Sequence, residues 1–288
     1  MISPSLTKKL ESYGIQVEPV LQLISSALEE DAPHGEDKTS QAAIPADSIT
    51  TARMCARKAG IVAGAGIAAA VFETLGLQVE IKRMSGERVE AGDVILTVTG
   101  HTREILLSER TALNFISHLS GIATLTRKWV DEIAGTSAII RDTRKTTPGL
   151  RQLEKFAVRM GGGMNHRMHL SDAAIVKDNH IAAAGSITSA VDRIRSEYPS
   201  LSIEVEVEDL AQLQEALSIK ADVIMLDNMS LEMTREAVLL VKGSGSKLES
   251  SGGITFDRVR EYAETGVHYL AIGAITHSAP ILDIGLDF

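Results

Sequence analysis

Three scarcities narrow the class of this chain before any motif is considered. Among 288 residues there is one cysteine, Cys55, so no internal disulfide can staple the fold. That residue is expected to be a small core side chain rather than a nucleophile. Long hydrophobic runs are missing as well. The N-terminus, MISPSLTKKLESYGIQ, has no hydrophobic signal core, and the longest apolar run, Ile61 to Phe72, is Gly/Ala-rich and too short to span a bilayer. Positive charge is short overall: the net charge is −9 and the pI near 5.4, which argues against bulk nucleic-acid binding. The expectation is a soluble cytoplasmic protein with neither a membrane nor a nucleic acid as partner.

What is present suffices for a real core. With 44% apolar residues, the chain can form one large or two modest domains. Its first part reads as mixed α and β. Val17 to Glu30 patterns as an amphipathic helix running into the polar, turn-rich DAPHGEDKTS. Thr50 to Lys58 reads as a strand, and Gly64-Ala65-Gly66 leads into a small-residue helix stopping at Gly76. Gln78 to Lys82 and Asp93 to Thr99 read as strands joined through SGERVEAGD. The tip of that hairpin lacks a lysine flanked for modification, which sets aside a biotinyl or lipoyl carrier. From Glu104 to Ala134 the apolar residues Ile116, Leu119, Ala123, Val130 and Ile133 recur at helical period up to Gly135, with a break expected at Ser120-Gly121.

Beyond this point strands alternate with helices. Strands are predicted at 138–142, 173–177, 202–206, 222–227, 247–249 and 268–272, with helical stretches between several of them. Such units imply parallel strands with right-handed crossovers, as an α/β barrel or an open sheet. About 140 residues cannot hold eight full units when a barrel usually takes about 250, so six or seven strands and an incomplete barrel are expected. The closing Leu282-Asp283-Ile284-Gly285-Leu286-Asp287-Phe288 alternates with period two, as a half-buried strand does, and is expected to return to pair with the first domain.

Against this acidic background one stretch stands out. Between Arg141 and Lys177 lie eight Lys/Arg against three acids, which suggests a focused site for a small anion. A solvated helix face accounts for Arg151, Lys155 and Arg159 at i, i+4 spacing. It does not account for Arg144-Lys145 before Pro148-Gly149, or for His166-Arg167 after Gly161-Gly162-Gly163, because those cations sit at turns where side chains can converge.

In parallel α/β architectures ligands bind at the carboxyl ends of the strands. Those positions hold Arg144/Lys145, Lys177, Glu206, Asp227, Ser251-Gly252-Gly253 and Gly273-Ala274. The late glycines suit a phosphate, because backbone N–H groups can approach it closely. Ionised carboxylates such as Glu206 and Asp227 suit a hard cation or sugar hydroxyls. Arg144 and Arg167 can each grip a carboxylate through two parallel hydrogen bonds, and His166 can add a donor. The site reads as one for a multiply anionic ligand together with a phosphorylated sugar.

The blocks SERTALNFISHLSGIATLTRKWV, RDTRKTTPGLRQLEKFAVRMGGGMNHRMHLSDAAIVKDNHI, IEVEVED, DVIMLDN, LESSGGI and YLAIGAITHSAPILDIGLDF resemble the quinolinate phosphoribosyltransferase family, the carboxylating nicotinate-nucleotide pyrophosphorylases of NAD biosynthesis. They cover residues 108 to 288 nearly throughout. ALEEDAPHGEDKTS and ARKAGIVAG fit more loosely, and GEDKTS departs from the family's shorter Gly-Asp-Thr turn, so no role is assigned to it. The resemblance implies an N-terminal α/β sandwich over residues 1–115, joined by the C-terminal strand at 277–288, and an irregular, incomplete α/β barrel over 116–276. It implies that Arg144, His166, Arg167 and Lys177 hold the two carboxylates of quinolinate, with Thr143 also in the substrate site, and that Arg110 reaches this pocket from the partner subunit of a homodimer. Lys145, Glu206 and Asp227 would be the catalytic set contacting phosphoribosyl pyrophosphate, with Mg²⁺ held directly or indirectly by Glu206 and Asp227. Ser251, Gly252, Gly253, Gly273 and Ala274 would take the 5′-phosphate, and no organic cofactor is expected. Two other readings compete: a paralogous phosphoribosyltransferase using another base, and a non-catalytic sensor of a dicarboxylate or nucleotide. The pairing of Arg144 with Arg167 favours quinolinate over another base, and a sensor of dicarboxylates would not require Lys145, Glu206 and Asp227.

Overall fold

The structure is a computed structural model that describes residues 2–33 and 35–288. His34, within the loop DAPHGEDKTS, and Met1 lie outside the described residues. In chain order the elements are α1 (Pro4–Ser12), α2 (Val17–Asp31), α3 (Lys38–Ala43), β1 (Ile49–Ala56), β2 (Gly60–Ile61), α4 (Ala65–Thr74), β3 (Gln78–Ile81), β4 (Arg88–Val89), β5 (Val94–His101) and α5 (Thr102–Glu132). Then follow β6 (Ile139–Arg141), α6 (Arg151–Met160), β7 (Ala174–Val176), α7 (Asp178–Ala184), α8 (Ile187–Glu197), β8 (Ile203–Val207), α9 (Leu210–Ser218) and β9 (Val223–Asp227). The chain closes with α10 (Leu231–Val241), β10 (Lys247–Ser251), α11 (Val259–Ala263), β11 (Tyr269–Ala271), α12 (Ala274–His277) and β12 (Ile284–Asp287).

These elements group into two compact units. The first runs to Arg127 and adds Thr146–Gly162 and Ile275–Phe288; the second comprises Lys128–Lys145 and Gly163–Ala274. The first unit is built on an antiparallel sheet in the order β12-β1-β5-β3. The expected hairpin forms with Val79 opposite Val98 and Ile81 opposite Leu96. The turn between its strands carries β4, which pairs with β2. The period-two C-terminus is a strand, β12, antiparallel to β1 with Met54 opposite Leu286. Helix α4 is buried from Ala65 to Phe72, as a helix apolar on every face must be. Its Gly66 lets Leu10 of α1 approach closely, since an added Cβ would lie 3.0 Å from a Leu10 methyl. Cys55 is buried in β1. Burial pushes its thiol above the usual range, with the Asp287 carboxylate adding to the shift, which fits a core role.

Two local expectations are corrected. The helix of residues 102–132 does not break at Ser120-Gly121 but continues as one α5. The Ser120 hydroxyl accepts from the Ala63 N–H at 2.9 Å and donates to the Ala63 carbonyl at 3.0 Å, so it serves a neighbouring segment and leaves its own helix intact. Gly121 bares the helix so that the Pro280 carbonyl can pack on it. The stripe Arg151, Lys155 and Arg159 on α6 is not a solvated face. Lys155 is fully buried, Arg151 Nε donates to Thr146 Oγ1 at 3.0 Å and Arg159 Nη2 to the Tyr13 carbonyl at 2.5 Å. Leu153, Phe156, Ala157 and Val158 are buried beside them, so the cationic heads reach polar groups at the edges of an otherwise covered helix.

The second unit carries a parallel sheet in the order β6-β11-β10-β9-β8-β7. All six strands fall at the expected positions. Met164 adds a parallel bridge to the outer edge of β6 at Arg141. The order runs through the chain cyclically, with the segment at Met164 preceding β7, which is the connectivity of an incomplete barrel. Ile140, Val176, Ile203, Val205, Ile224, Leu226, Leu248 and Leu270 are buried on the strands.

The contact at Gly121 is directly testable. An alanine Cβ there would lie 2.1 Å from the Pro280 oxygen and 2.9 Å from Ile281 Cα, both backbone atoms that cannot swing aside. G121A should lower stability by about 1–3 kcal/mol through overpacking, read as a lower denaturant midpoint with unchanged far-UV circular dichroism.

Candidate active site

In a parallel sheet with register 204↔223, 206↔225, 249↔225 and 251↔227, side chains two residues apart fall in successive layers of one face. On β8 Glu204 and Glu206 share the face opposite Val205 and Val207; on β10 Lys247, Glu249 and Ser251 share one, and on β9 Met225 and Asp227. By that register Glu206 and Glu249 stand level with Met225, Glu204 lies one step deeper beside Val223, and Asp227 pairs with Ser251 one step nearer the carboxyl ends.

Behind the strand ends lies a buried polar network that includes Glu204 and Glu249. Arg141 Nη1 contacts Glu249 Oε2 at 2.5 Å, with the Glu249 side chain fully buried, and the Arg141 guanidinium stacks 4.4 Å from the centroid of the Tyr269 ring. His166 Nε2 lies 2.8 Å from Glu204 Oε2 and 3.6 Å from Glu249 Oε1. Asp142, fully buried, accepts from the His166 N–H at 2.8 Å and from Asn165 Nδ2 at 2.6 Å. Burial, and next the charge of Glu204, push the Glu249 carboxyl up to about 7, against the opposing pull of Arg141 and His166. Two carboxylates confined at this depth cannot both be cheaply ionised.

Towards the strand ends stand the residues singled out by sequence. Lys177, at the end of β7, contacts Glu206 Oε2 through its ammonium group. Asp227 Oδ2 accepts from Asn228 Nδ2 at 2.8 Å. Asn228 adopts a left-handed conformation with φ 52°, and its N–H donates to the Ser251 carbonyl at 2.9 Å. Gly252 and Gly253 also have positive φ, and a Cβ on Gly252 would lie 2.3 Å from Asn228 Oδ1. The loop Ser251-Gly252-Gly253 thus needs its first glycine for both conformation and space. Gly273 and Ala274 are half-buried where β11 passes into α12. Thr143 Oγ1 accepts from the Lys145 N–H at 3.0 Å, and Lys145 itself is exposed. Arg167 Nη1 donates to the Ala173 carbonyl at 2.7 Å. Burial, and then the like charge of Arg144, lower the Arg167 pKa, while Glu204 and Asp172 oppose the shift. Repulsion between two guanidiniums would be relieved by an anion that neutralises both.

Arg144, Lys145, His166, Arg167, Lys177, Glu206, Asp227 and the two glycine-bearing loops all belong to the second unit. Arg110 belongs to the first unit. It is exposed on α5 and lines a small surface cavity with Asn114, Ile281 and Asp283. Sequence reasoning missed Arg141, Asp142, Glu204, Glu249 and Asn228. A signal was present for Glu204: in the parallel strand IEVEV a charge at every second position contradicts the near-continuous apolar run that burial on both faces requires.

Among the described residues His166, Glu204 and Glu249 are the one group whose ligand atoms gather closely enough for a metal ion, within 4.8 Å of one another. One oxygen of each glutamate is engaged, Glu249 Oε2 by Arg141 and Glu204 Oε2 by the imidazole, while Glu249 Oε1 and Glu204 Oε1 have no hydrogen-bond partner among the described residues. Glu206 and Asp227 offer oxygen-only donors at the strand ends, the set that a hard cation such as Mg²⁺ accepts.

Comparison with known proteins finds relatives over most of the chain. Residues 37–120 match the family described as quinolinate phosphoribosyl transferase, N-terminal domain, and residues 122–287 match its C-terminal domain. The chain is 47% identical to the nicotinate-nucleotide pyrophosphorylase [carboxylating] of Mycobacterium leprae, over 92% of this chain and 95% of that one. Its fold superposes on the NadC structure from Streptococcus pyogenes with a TM-score of 0.91 and 39% identity, covering 95% of this chain and 97% of that one. The nicotinate-nucleotide pyrophosphorylase of Francisella tularensis gives the same TM-score, identity and coverage.

The raised Glu249 pKa sets a stability slope. A carboxyl near 4.5 when unfolded and about 7 when folded contributes stability that is fully present below the lower value and lost as pH rises through the upper one. Denaturant unfolding of the wild type should therefore show stability falling between about pH 4.5 and 7, by on the order of 3 kcal/mol from this group. E249Q should flatten that slope; an unchanged slope in E249Q would mean that Glu249 is ionised throughout.

Proposed function

The chain belongs to the quinolinate phosphoribosyltransferase family, and from that premise we propose how its strand-end cluster transfers phosphoribose from phosphoribosyl pyrophosphate to quinolinate with loss of CO₂. The products are nicotinate mononucleotide, CO₂ and pyrophosphate, the step that feeds NAD biosynthesis, carried out by a cytoplasmic enzyme. The observation that carries the reading is the convergence of Arg144 and Arg167, close enough to repel, in the same unit as Lys177, Glu206, Asp227 and the Ser251-Gly252-Gly253 loop.

The chemistry assigns the roles. Arg144 and Arg167 take the two carboxylates of quinolinate, with Lys177 and the loop at His166 beside them; Lys177 keeps further N–H donors beyond the one given to Glu206. This holds the pyridine nitrogen in line with the anomeric carbon, where much of the barrier is lowered by orientation. As the nitrogen attacks, the bond to pyrophosphate breaks and positive charge develops on the ribose. Glu206 and Asp227 align the ribose hydroxyls and favour that charge, and Lys145 neutralises the leaving oxygens. Glu206 and Asp227 would also hold Mg²⁺, which supplies further charge neutralisation to the pyrophosphate. Thr143 fixes the turn that presents Lys145. Ser251, Gly252, Gly253, Gly273 and Ala274 take the 5′-phosphate on backbone N–H groups. Once the nitrogen is alkylated it is cationic and can accept the electron pair left at the adjacent ring carbon when CO₂ departs. That carbon then takes a proton, and no organic cofactor is needed.

Exposure of Arg110 on α5 supports its use across a subunit boundary, in a homodimer where the partner copy completes the quinolinate pocket. The decisive assay is release of CO₂ and pyrophosphate from quinolinate plus phosphoribosyl pyrophosphate and Mg²⁺, with nicotinate in parallel. Equal release of both products with quinolinate alone is expected; binding without turnover would favour a sensor. R167A should abolish quinolinate binding with the fold intact, because no neighbour replaces a bidentate guanidinium, and near-normal affinity would overturn the assignment. Mixing inactive R110A and R167A dimers should restore about a quarter of wild-type activity, since half of the randomly paired dimers then hold one intact site. No recovery after subunit exchange would show that Arg110 serves its own chain.

A further inference from the structure

The loop that carries Arg167 is held from behind, and each hold has a fixed direction. Asp142 accepts from the His166 backbone N–H at 2.8 Å and from the Asn165 amide at 2.6 Å. The Arg167 backbone N–H points to His166 Nδ1 at 2.7 Å. A backbone N–H can only donate, so Nδ1 must present its lone pair, and the single proton of the neutral ring sits on Nε2. There it donates to Glu204 Oε2 at 2.8 Å. Glu204 is 5% exposed, so water does not compete strongly for that bond. Glu249 Oε1, at 3.6 Å from the same nitrogen, is beyond hydrogen-bond reach.

We propose that Glu204 is a positioning residue for substrate binding: by fixing the tautomer of His166 it fixes the backbone of Arg167, and so the aim of the guanidinium that takes a quinolinate carboxylate. The proposal rests on the carboxylate-binding role of Arg167. Both ring nitrogens of His166 are engaged within the protein, so the histidine acts through Arg167 and not by giving its own ring proton to the ligand. Without an acceptor at Nε2 the ring can carry its proton on Nδ1 instead. Two N–H groups would then face each other at 2.7 Å, and the loop must move to separate them.

The test combines kinetics with spectroscopy on the full-length enzyme. E204A should raise KM for quinolinate by about 10- to 100-fold, as misplacement of a binding group does, while KM for phosphoribosyl pyrophosphate stays within about twofold. E204Q keeps an acceptor oxygen and should recover most of the lost affinity. ¹⁵N spectra of histidine-labelled enzyme, with the His166 signals identified by their loss in H166N, should show Nε2 protonated and Nδ1 bare in the wild type, and a mixture of tautomers in E204A. An unchanged quinolinate KM in E204A overturns the proposal, as does a wild-type His166 with its proton on Nδ1. The wild-type spectrum decides even if E204A fails to fold. Failure is separable from that of the functional reading: R167A with normal quinolinate affinity removes the carboxylate role itself, whereas loss in R167A with a normal E204A removes only the relay.

Discussion

Everything at this site stands on charges that had to be placed inside a sheet. A carboxylate cannot be stripped of water at the centre of a protein without a partner, and a pair is tolerable only when its remaining lone pairs and protons are also satisfied. The second unit meets that condition in part, with Arg141 answering Glu249, His166 answering Glu204, and Asp142 accepting from the His166 N–H and the Asn165 amide. One oxygen of each glutamate is left without a hydrogen-bond partner among the described residues. The raised Glu249 pKa, about 7, is the electrostatic consequence: the network holds one proton near neutrality instead of a second uncompensated charge.

The sheet separates two kinds of surface. One face of the sheet is apolar, with Val205, Ile224, Leu226 and Leu248 buried, and supplies the stability of the unit through the hydrophobic effect. The other carries the charged groups beside Met225 and Tyr269, and leads from the paired groups to Lys177, Glu206, Asp227 and Ser251 at the strand ends. Polar groups in the interior let the loop at 165–167 be anchored by directional bonds, which packing alone would not provide. Asn228 applies the same device at the Ser251-Gly252-Gly253 loop: its left-handed backbone, its bond to Asp227 and its contact with Gly252 tie a carboxylate and a glycine turn into one piece. Catalysis by orientation demands that reacting groups be held within a narrow tolerance, which buried directional bonds can supply.

Much of the fold was legible because burial leaves a periodic trace. The six parallel strands, the hairpin and the returning C-terminal strand were all read from apolar alternation and turn residues, and each lies within a few residues of its expected place. The errors have a common cause. Ser120-Gly121 reads locally as a helix breaker, but the serine serves a segment some 57 residues away in sequence and the glycine admits the Pro280 backbone. Arg151, Lys155 and Arg159 read as a solvated face because i, i+4 cations usually are one; Lys155 is instead fully buried, and the Arg159 partner, Tyr13, comes from 146 positions away. Local pattern cannot report a partner that only folding brings near.

By itself, the sequence determined the alternation of strands and helices, the cationic stretch between Arg141 and Lys177, and the residue types at the strand ends, because period, charge and glycine placement are properties of the chain. Which groups stand behind those residues was decided by tertiary structure alone. Parallel register sets Glu249 opposite Met225 and Tyr269, and so within reach of Arg141 on a strand more than one hundred positions earlier; the same sheet brings Glu204 to His166. These pairings span residues far apart in the chain, and a carboxylate's pKa, a histidine's tautomer and the aim of an arginine follow from them because electrostatics and hydrogen bonding act through space.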